Sequence, residues 1–421
     1  MRKRLQHIYQ KNLLRVQTVL LETLDFVLYW LTPKLRLYRE ANRKAPLILF
    51  LGDSLQARIP RMARYLRREG SFDAELLVKA GKDFKVFDTQ TFSRVLTYRS
   101  RWHLRRILAG THPDDVHIIH AFTLPSYQIK DAIDYTDIPV VMDVQDMHVS
   151  YFGLQSPKLY MRIDMPMEAY AIRHSAGIVS QSIELTNACR VYGIEQRPPT
   201  LIFPVYCDDE QILIPPEKQQ SGEIHVAYAG SIAGSFQDDQ HFGSMKLFWL
   251  IQAFASQGIH FHIYPSPTMR FGELILAEYR EWDAKEPFFH LHKSVPQQQL
   301  AEELSQYHYG LLPFFLEDTG RSANKLGLGS SQKLYNYIEV GLPVIISQDL
   351  AFQSWMARRY GAGIEVSKAD FSDIRRKLEE VDYAERRAHL LAQRDKITLG
   401  KNIPRLVKFY QELRSISQNS Y

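Results

Sequence analysis

The chain reads as an α/β protein built from two doubly wound, Rossmann-like domains, and three observations predict this. Short continuous apolar runs alternate with helix-sized stretches, a proline-crowded segment interrupts the alternation near the middle, and the rhythm then restarts. With 421 residues, 45% hydrophobic and 24% charged, the chain is long enough for two cores and too apolar for general disorder.

The first strand is predicted at 46–52, PLILFLG, an unbroken apolar run of the kind covered on both faces of a parallel sheet. Further strands are expected at 74–78, 116–120, 139–144 and 177–180, separated by helices such as 161–174. Residues 196–222 then crowd Pro198, Pro199, Pro204, Pro215 and Pro216 into polar sequence that cannot run as one helix, which sets the domain linker at 201–222. Beyond it, strands are expected at 224–229, 259–264, 288–290, 309–313, 343–347 and 363–366, followed by a charged helical tail over 370–417. The resulting division is an extension at 1–45, a first α/β domain at 46–200, the linker, a second domain at 223–395 and a terminal helix at 396–421.

The net charge is +5, yet residues 1–45 carry ten Lys or Arg against only Glu22, Asp25 and Glu40. In the same segment Leu13, Leu14, Leu20, Leu21, Leu24, Val27, Leu28 and Leu31 recur at the spacing of one helical face. Arg15, Glu22 and Asp25 interrupt the apolar run, so it fits neither a membrane span nor a cleavable signal. Two readings stand: an amphipathic helix lying on an anionic membrane, with Tyr29 and Trp30 near its end, or a helix packed on the protein's own core. Cys189 and Cys207 are too few for a disulfide framework, which points to reduced thiols in a cytoplasmic protein, at the inner face of the membrane under the first reading. No nucleic-acid-binding motif is present and the overall charge is low, so nucleic acid is not an expected partner.

In open parallel sheets ligands sit outside the carboxyl ends of the strands, which directs attention to three segments of the second domain. Residues 332–346, QKLYNYIEVGLPVII, are a helix broken at Gly341 and Pro343 that leads into a buried strand. Ser330 and Ser331 open this helix, its first N–H groups suit a phosphate, and Lys333 adds an ammonium beside them. Residues 227–234, AYAGSIAG, end a strand in Gly230, Ser231 and Gly234, where backbone N–H groups can approach an anion, and Lys246 follows on the next helix. Residues 290–304, HLHKSVPQQQLAEEL, place Ser294 and Val295 just after a strand end. His290 and His292 have no third ligand in view and read as structural, so no protein-held metal is expected.

In the first domain His120 ends a predicted strand, and 139–153, PVVMDVQDMHVSYFG, runs from a strand into a polar loop with Asp146 and His148. Arg58, Arg61, Arg64 and Arg68 share one helical face, and 98–106, YRSRWHLRR, interleaves aromatic and basic groups. Either surface suits a diphosphate-bearing acceptor or plain solvation.

Taken together, these motifs resemble glycosyltransferases of the GT-B fold, especially the family 4 group, in which a lysine-bearing helix precedes a Gly-x-Pro-Val strand. Residues 168–182, EAYAIRHSAGIVSQS, are also similar to that family's helix with an early glutamate and strand ending in serine. The resemblance covers most of residues 115–350. It implies two domains facing a cleft, a last helix crossing back to the first domain, a nucleotide-sugar co-substrate with no separate cofactor, and retention of anomeric configuration. It assigns Gly230, Ser231, Gly234, Lys246, Ser330, Ser331 and Lys333 to the donor diphosphate, and Ser294 and Val295 to the base. The chain departs from the pattern in two places. The family's paired glutamates correspond to Leu328 and Asn336, leaving ribose recognition to an amide, and its His-Asp pair corresponds to Gln145 and Asp146, with His148 displaced. Asp146, then His120 and His148, are the residues expected to hold an acceptor or sugar hydroxyl. The expected activity is sugar transfer from a nucleotide sugar to a hydroxyl of a glycan or lipid-linked acceptor, in bacterial surface glycan or glycolipid assembly. The departures keep two other readings open, a non-catalytic GT-B partner of another transferase and a nucleotide-sugar epimerase.

Overall fold

The computed structural model describes residues 20, 22–32, 34–35, 45–53, 58–81, 91–213, 222–267, 269, 271–320 and 323–418. Leu13, Leu14, Arg15, Leu21, Pro215, Pro216 and the last three residues of the expected terminal helix lie outside the described residues.

Two parallel sheets organise the chain. The first contains β1 (Leu47–Gly52), β2 (Asp73–Lys79), β3 (Arg94–Tyr98), β4 (Ile118–Phe122), β5 (Val140–Val144), β6 (Gly177–Ser180) and β7 (Thr200–Ile202), in the order β3-β2-β1-β4-β5-β6-β7. The second contains β8 (Ile224–Gly230), β9 (Ile259–Pro265), β10 (Phe289–Leu291), β11 (Tyr309–Leu312), β12 (Val344–Ser347) and β13 (Gly363–Val366), in the order β10-β9-β8-β11-β12-β13. In each sheet the winding reverses once, between β1 and β4 and between β8 and β11, and a crevice for ligand opens at such a reversal.

The period of two in a strand explains the layering. Along β1, Ile48 and Phe50 enter one core cluster while Leu47, Leu49 and Leu51 enter the other, so all six residues of the strand are buried. Two strands escape the expectation. β3 alternates between exposed and covered positions as an edge strand does, and β7 is three residues long and extends the first sheet into the stretch read as linker. β4 also lies two residues later than expected, at Ile118–Phe122.

The chain crosses between the sheets twice, and the crossings touch. Cys207 N–H donates to the Ile397 carbonyl at 2.9 Å, and Leu399 N–H donates to the Cys207 carbonyl at 2.8 Å. The helix Leu399–Gln418 then lies on the first sheet. Gly177 on β6 permits this approach, because a Cβ there would stand 2.6 Å from Leu413 and 2.9 Å from Phe409.

Residues 22–31 are helical and dock on the first domain with their polar face inward. Asp25 is fully buried and accepts from Ser100 Oγ at 2.6 Å and from the Arg99 guanidinium, while Arg101 N–H reaches Glu22. The apolar residues Leu20, Leu24, Val27 and Leu31 face outward instead. Among the described residues no helix is long and apolar enough to cross a membrane.

Candidate functional site

A cavity of about 310 Å³ opens where the carboxyl ends of β8 and β9 face the helix Arg58–Arg68 of the first domain. That volume falls within the range of small-molecule sites, roughly 300–1,000 Å³. Gly230 closes β8 at φ +152°, a conformation that favours glycine, and a Cβ there would stand 2.1 Å from Lys333 Cε. The bare backbone is therefore what lets the lysine stem lie across the turn.

Lys333 comes from the helix Gln332–Glu339, whose first turn is capped by Ser331; the serine side chain accepts from Lys333 N–H at 3.3 Å. The ammonium lies 5.6 Å from the ring centre of Tyr228 and 5.3 Å from that of Phe314, within reach of their negative faces. One turn on, Asn336 Oδ1 accepts from Gln332 Nε2 at 3.0 Å and from Gln297 Nε2 at 3.3 Å. Together with Tyr264 at the end of β9, these groups make one wall.

The opposite wall carries arginines paired with carboxylates. Arg61 reaches Asp208 at 3.2 Å and Glu339 at 3.1 Å, and Arg64 reaches Asp208 at 2.5 Å and Glu210 at 2.9 Å. Arg58 and Arg61 are thus buried and Arg64 partly so, engaged with neighbouring acidic groups, while Arg68 at the end of the same face stays exposed. Burial pushes the Glu339 carboxyl up to about 7, against the pull of Arg61 and of the Asp208 N–H that it accepts at 2.7 Å.

Of the residues expected at the donor, the structure brings Gly230, Ser231, Val295, Lys333 and Asn336 to this cavity, with Ser331 as the helix cap behind it. Ser330 precedes the cap and does not line the cavity, and Ser294 is exposed beside it. Gly234 and Lys246 do not line it. Residues 235–245 fold into a short helix, Asp239–Phe242, and a tight turn that carry Lys246 away. Its ammonium is held by Asp239 Oδ1 at 2.6 Å and the Ser235 carbonyl at 3.0 Å, and Gly234 N–H is taken by Gln237 Oε1 at 3.0 Å.

On the acceptor side the expected residues part company. His120 is fully buried within β4, with Nε2 2.7 Å from Asp143 Oδ2 and Nδ1 2.7 Å from the Tyr410 hydroxyl. Both ring nitrogens are occupied, so it cannot meet a substrate; it ties β4 and β5 to the terminal helix. Burial lowers its pKa and keeps the ring neutral. Asp143 is buried as well, but Arg58 and His120 hold its carboxyl below the ordinary range.

Asp146 faces the cleft but is engaged. It pairs with Lys325 from the helix Ala323–Leu328 of the second domain, and Lys325 also lies 3.3 Å from Glu184. Burial opposes that charge, yet the two carboxylates carry the Lys325 ammonium above its ordinary value. His148 lines a second concavity of about 450 Å³ with Tyr151, Phe152 and Tyr160, and His241 and Phe242 close it from the second domain. Behind it Glu168, fully buried and pushed up to about 7 by that burial, accepts from His148 N–H at 2.7 Å and from the Tyr192 hydroxyl at 2.6 Å. The early glutamate of the 168–182 motif therefore positions the loop rather than a ligand.

Arg61, Asp208, Tyr264 and Lys325 were not singled out as donor-site or cleft-bridging residues from the sequence. Only the regular arginine spacing at Arg58–Arg68 was visible locally, and it pointed outward.

Residues 264–408 match the family described as Glucosyltransferase 3-like, C-terminal domain. No curated protein matches the chain in sequence. Among solved structures the chain is similar to sucrose-phosphate synthase from Thermosynechococcus elongatus, with TM-score 0.62, 11% identity, and coverage of 88% of this chain and 100% of that one. It is similar to HepE of Anabaena in complex with UDP-glucose, with TM-score 0.57, 11% identity, and coverage of 89% and 100%. It is also similar to MnaA of S. aureus solved with UDP, with TM-score 0.54, 9% identity, and coverage of 88% and 98%. At these identities the likeness establishes the fold, which is GT-B: two Rossmann-like domains facing a cleft.

Proposed function

We propose that the protein is a glycosyltransferase that binds a nucleotide-sugar donor in the cavity between β8, β9 and the helix Gln332–Glu339. One observation carries this reading: the Gly230 turn, the capped helix start and the Lys333 ammonium converge on one mouth. Such a mouth suits a diphosphate, whose charge grows as the sugar departs. In the reaction the bond from the sugar C1 to the diphosphate oxygen breaks, a bond from C1 to the acceptor oxygen forms, and the acceptor proton passes to the leaving diphosphate. The family match over residues 264–408 and the UDP-glucose in the HepE structure support a glucosyl-type UDP donor. The aromatic concavity around His148 suits a glycan or lipid-linked acceptor, as in surface glycan assembly.

Thermal unfolding with UDP, GDP, CMP and dTDP tests donor binding, since a ligand at a hundredfold its Kd stabilises by about 2.7 kcal/mol. Product analysis with labelled nucleotide sugars and a panel of acceptors tests transfer. A second reading is a GT-B protein that binds the donor without transferring it, and the engagement of His120 and Asp146 favours it. Nucleotide stabilisation without transfer or hydrolysis selects that reading, and failure of every nucleotide to stabilise removes both.

The helix at 22–31 is proposed to rest on an anionic membrane surface. Leu20, Leu24, Val27 and Leu31 are 64%, 49%, 46% and 72% exposed on one face, and Trp30 is 71% exposed beside them. The ten basic residues among 1–45 supply the charge complement, at about 1 kcal/mol each near an anionic surface. Co-sedimentation with phosphatidylglycerol vesicles, lost at high salt and absent with phosphatidylcholine alone, is the expected behaviour; equal partition to both vesicles rejects it.

A further inference from the structure

Five histidines stack across β8, β9 and the end of β10. Strand register sets His225 beside His260 and His262 beside His290, with ring centres 4.5 Å and 4.4 Å apart. Their nitrogens meet in a directed pattern. His225 Nδ1 lies 3.0 Å from His262 Nε2, His262 Nδ1 lies 3.0 Å from His292 Nε2, and His260 Nδ1 lies 2.9 Å from His290 Nε2. A neutral imidazole has one donor and one acceptor, so the tautomer with hydrogen on Nδ1 satisfies every one of these contacts. It also turns the Nε2 lone pairs of His225 and His260 away from the other rings. Glu223 stands at that end, 3.6 Å from His225 Nε2, and Glu223, His225 and His260 each offer a ligand atom within 4.8 Å of the others.

We propose that Glu223, His225 and His260 bind a divalent transition-metal ion, zinc by preference, with solvent completing the coordination. Two imidazoles and a carboxylate are a common zinc ligand set. Bonds of roughly 2.0–2.2 Å require the ligand atoms to draw closer than 4.8 Å, and Glu223 is an exposed side chain free to rotate inward. The rings that brace the ligands are already in place. In that tautomer each ligand histidine would aim its Nδ1–H at another ring, the arrangement that fixes the orientation of metal-bound imidazoles. From His225 the chain continues to His262 and on to His292, so the ligating ring is braced from within the sheet. The ligands are not the closely spaced His290 and His292 but His225 and His260, paired through the sheet, and Glu223 just before β8.

The test is titration of the tag-free, chelator-treated full chain with zinc by calorimetry, and with cobalt by visible absorption. The expected result is one equivalent of zinc and a cobalt spectrum of low coordination number. His225→Ala and His260→Ala should each weaken binding at least tenfold, and His290→Asn, which meets His260 Nδ1, by about tenfold. Glu223→Gln, on an exposed side chain, keeps the test usable if a histidine variant does not fold. Absence of stoichiometric binding, or binding unchanged in Glu223→Gln and in every folded histidine variant, overturns the proposal. Because the readout is metal binding alone, it stands or falls apart from the donor site.

Discussion

At His120 and Lys333 the role of the side chain is assigned by its neighbours rather than by its motif. His120 bridges Asp143 and Tyr410 inside the first domain. His120→Phe should cost about 2 kcal/mol or more, because two buried polar groups lose their partner. Denaturant unfolding would check this, with the nucleotide-induced thermal shift expected to survive in the folded variant. Lys333 stands at the cavity mouth with its stem over Gly230. Lys333→Ala should weaken nucleotide binding by about 1.5–3 kcal/mol, the worth of a hydrogen bond to a charged group, while the unliganded unfolding temperature changes little. An unaltered nucleotide response would take Lys333 out of the site.

At the level of elements, the helix Arg58–Arg68 inverts the usual rule that charges face water. Arg58, Arg61 and Arg64 turn inward because the crossing segment and the helix Gln332–Glu339 present Asp208, Glu339 and the Phe203 carbonyl to them. Glu339 is the member with a pH signature. Its folded pKa, about 7, lies above the ordinary 4.5, so the folded state binds more protons in that interval. Its contribution to stability is complete below about pH 4.5 and is lost as pH rises to about 7, up to about 3 kcal/mol by linkage. Glu339→Gln should therefore gain on the wild type as pH rises from 5 to 7.5, which thermal unfolding across that range measures. A constant difference would show that Glu339 titrates normally. The strands illustrate why some elements were legible and others not. β1, β6 and β12 are covered on both faces and read as continuous apolar runs, whereas β3 is a half-exposed edge and β7 is three residues of a proline-rich stretch.

For the whole molecule, the two sheets are joined by paired crossings at Cys207 and 397–399 and clasped across the cleft by Lys325. Lys325→Ala leaves Asp146 and the buried Glu184 facing each other without a cation, which should favour a more open cleft. Small-angle scattering is expected to give a larger radius of gyration for this variant without nucleotide, and an unchanged radius would mean that the crossings alone set the domain angle.

The fold and half of the cavity wall were readable locally. Apolar periodicity, the Gly230 turn, the Ser331 cap and Lys333 depend on residues within a turn or a strand of one another, where backbone geometry and burial act directly. The placing of Arg61, Asp208 and Lys325, the withdrawal of His120 into the core, and the meeting of Glu223 with His225 and His260 follow from packing between segments tens to hundreds of residues apart. Short-range regularity does not encode those distances, because the charge that decides each partner arrives from another strand or the other sheet.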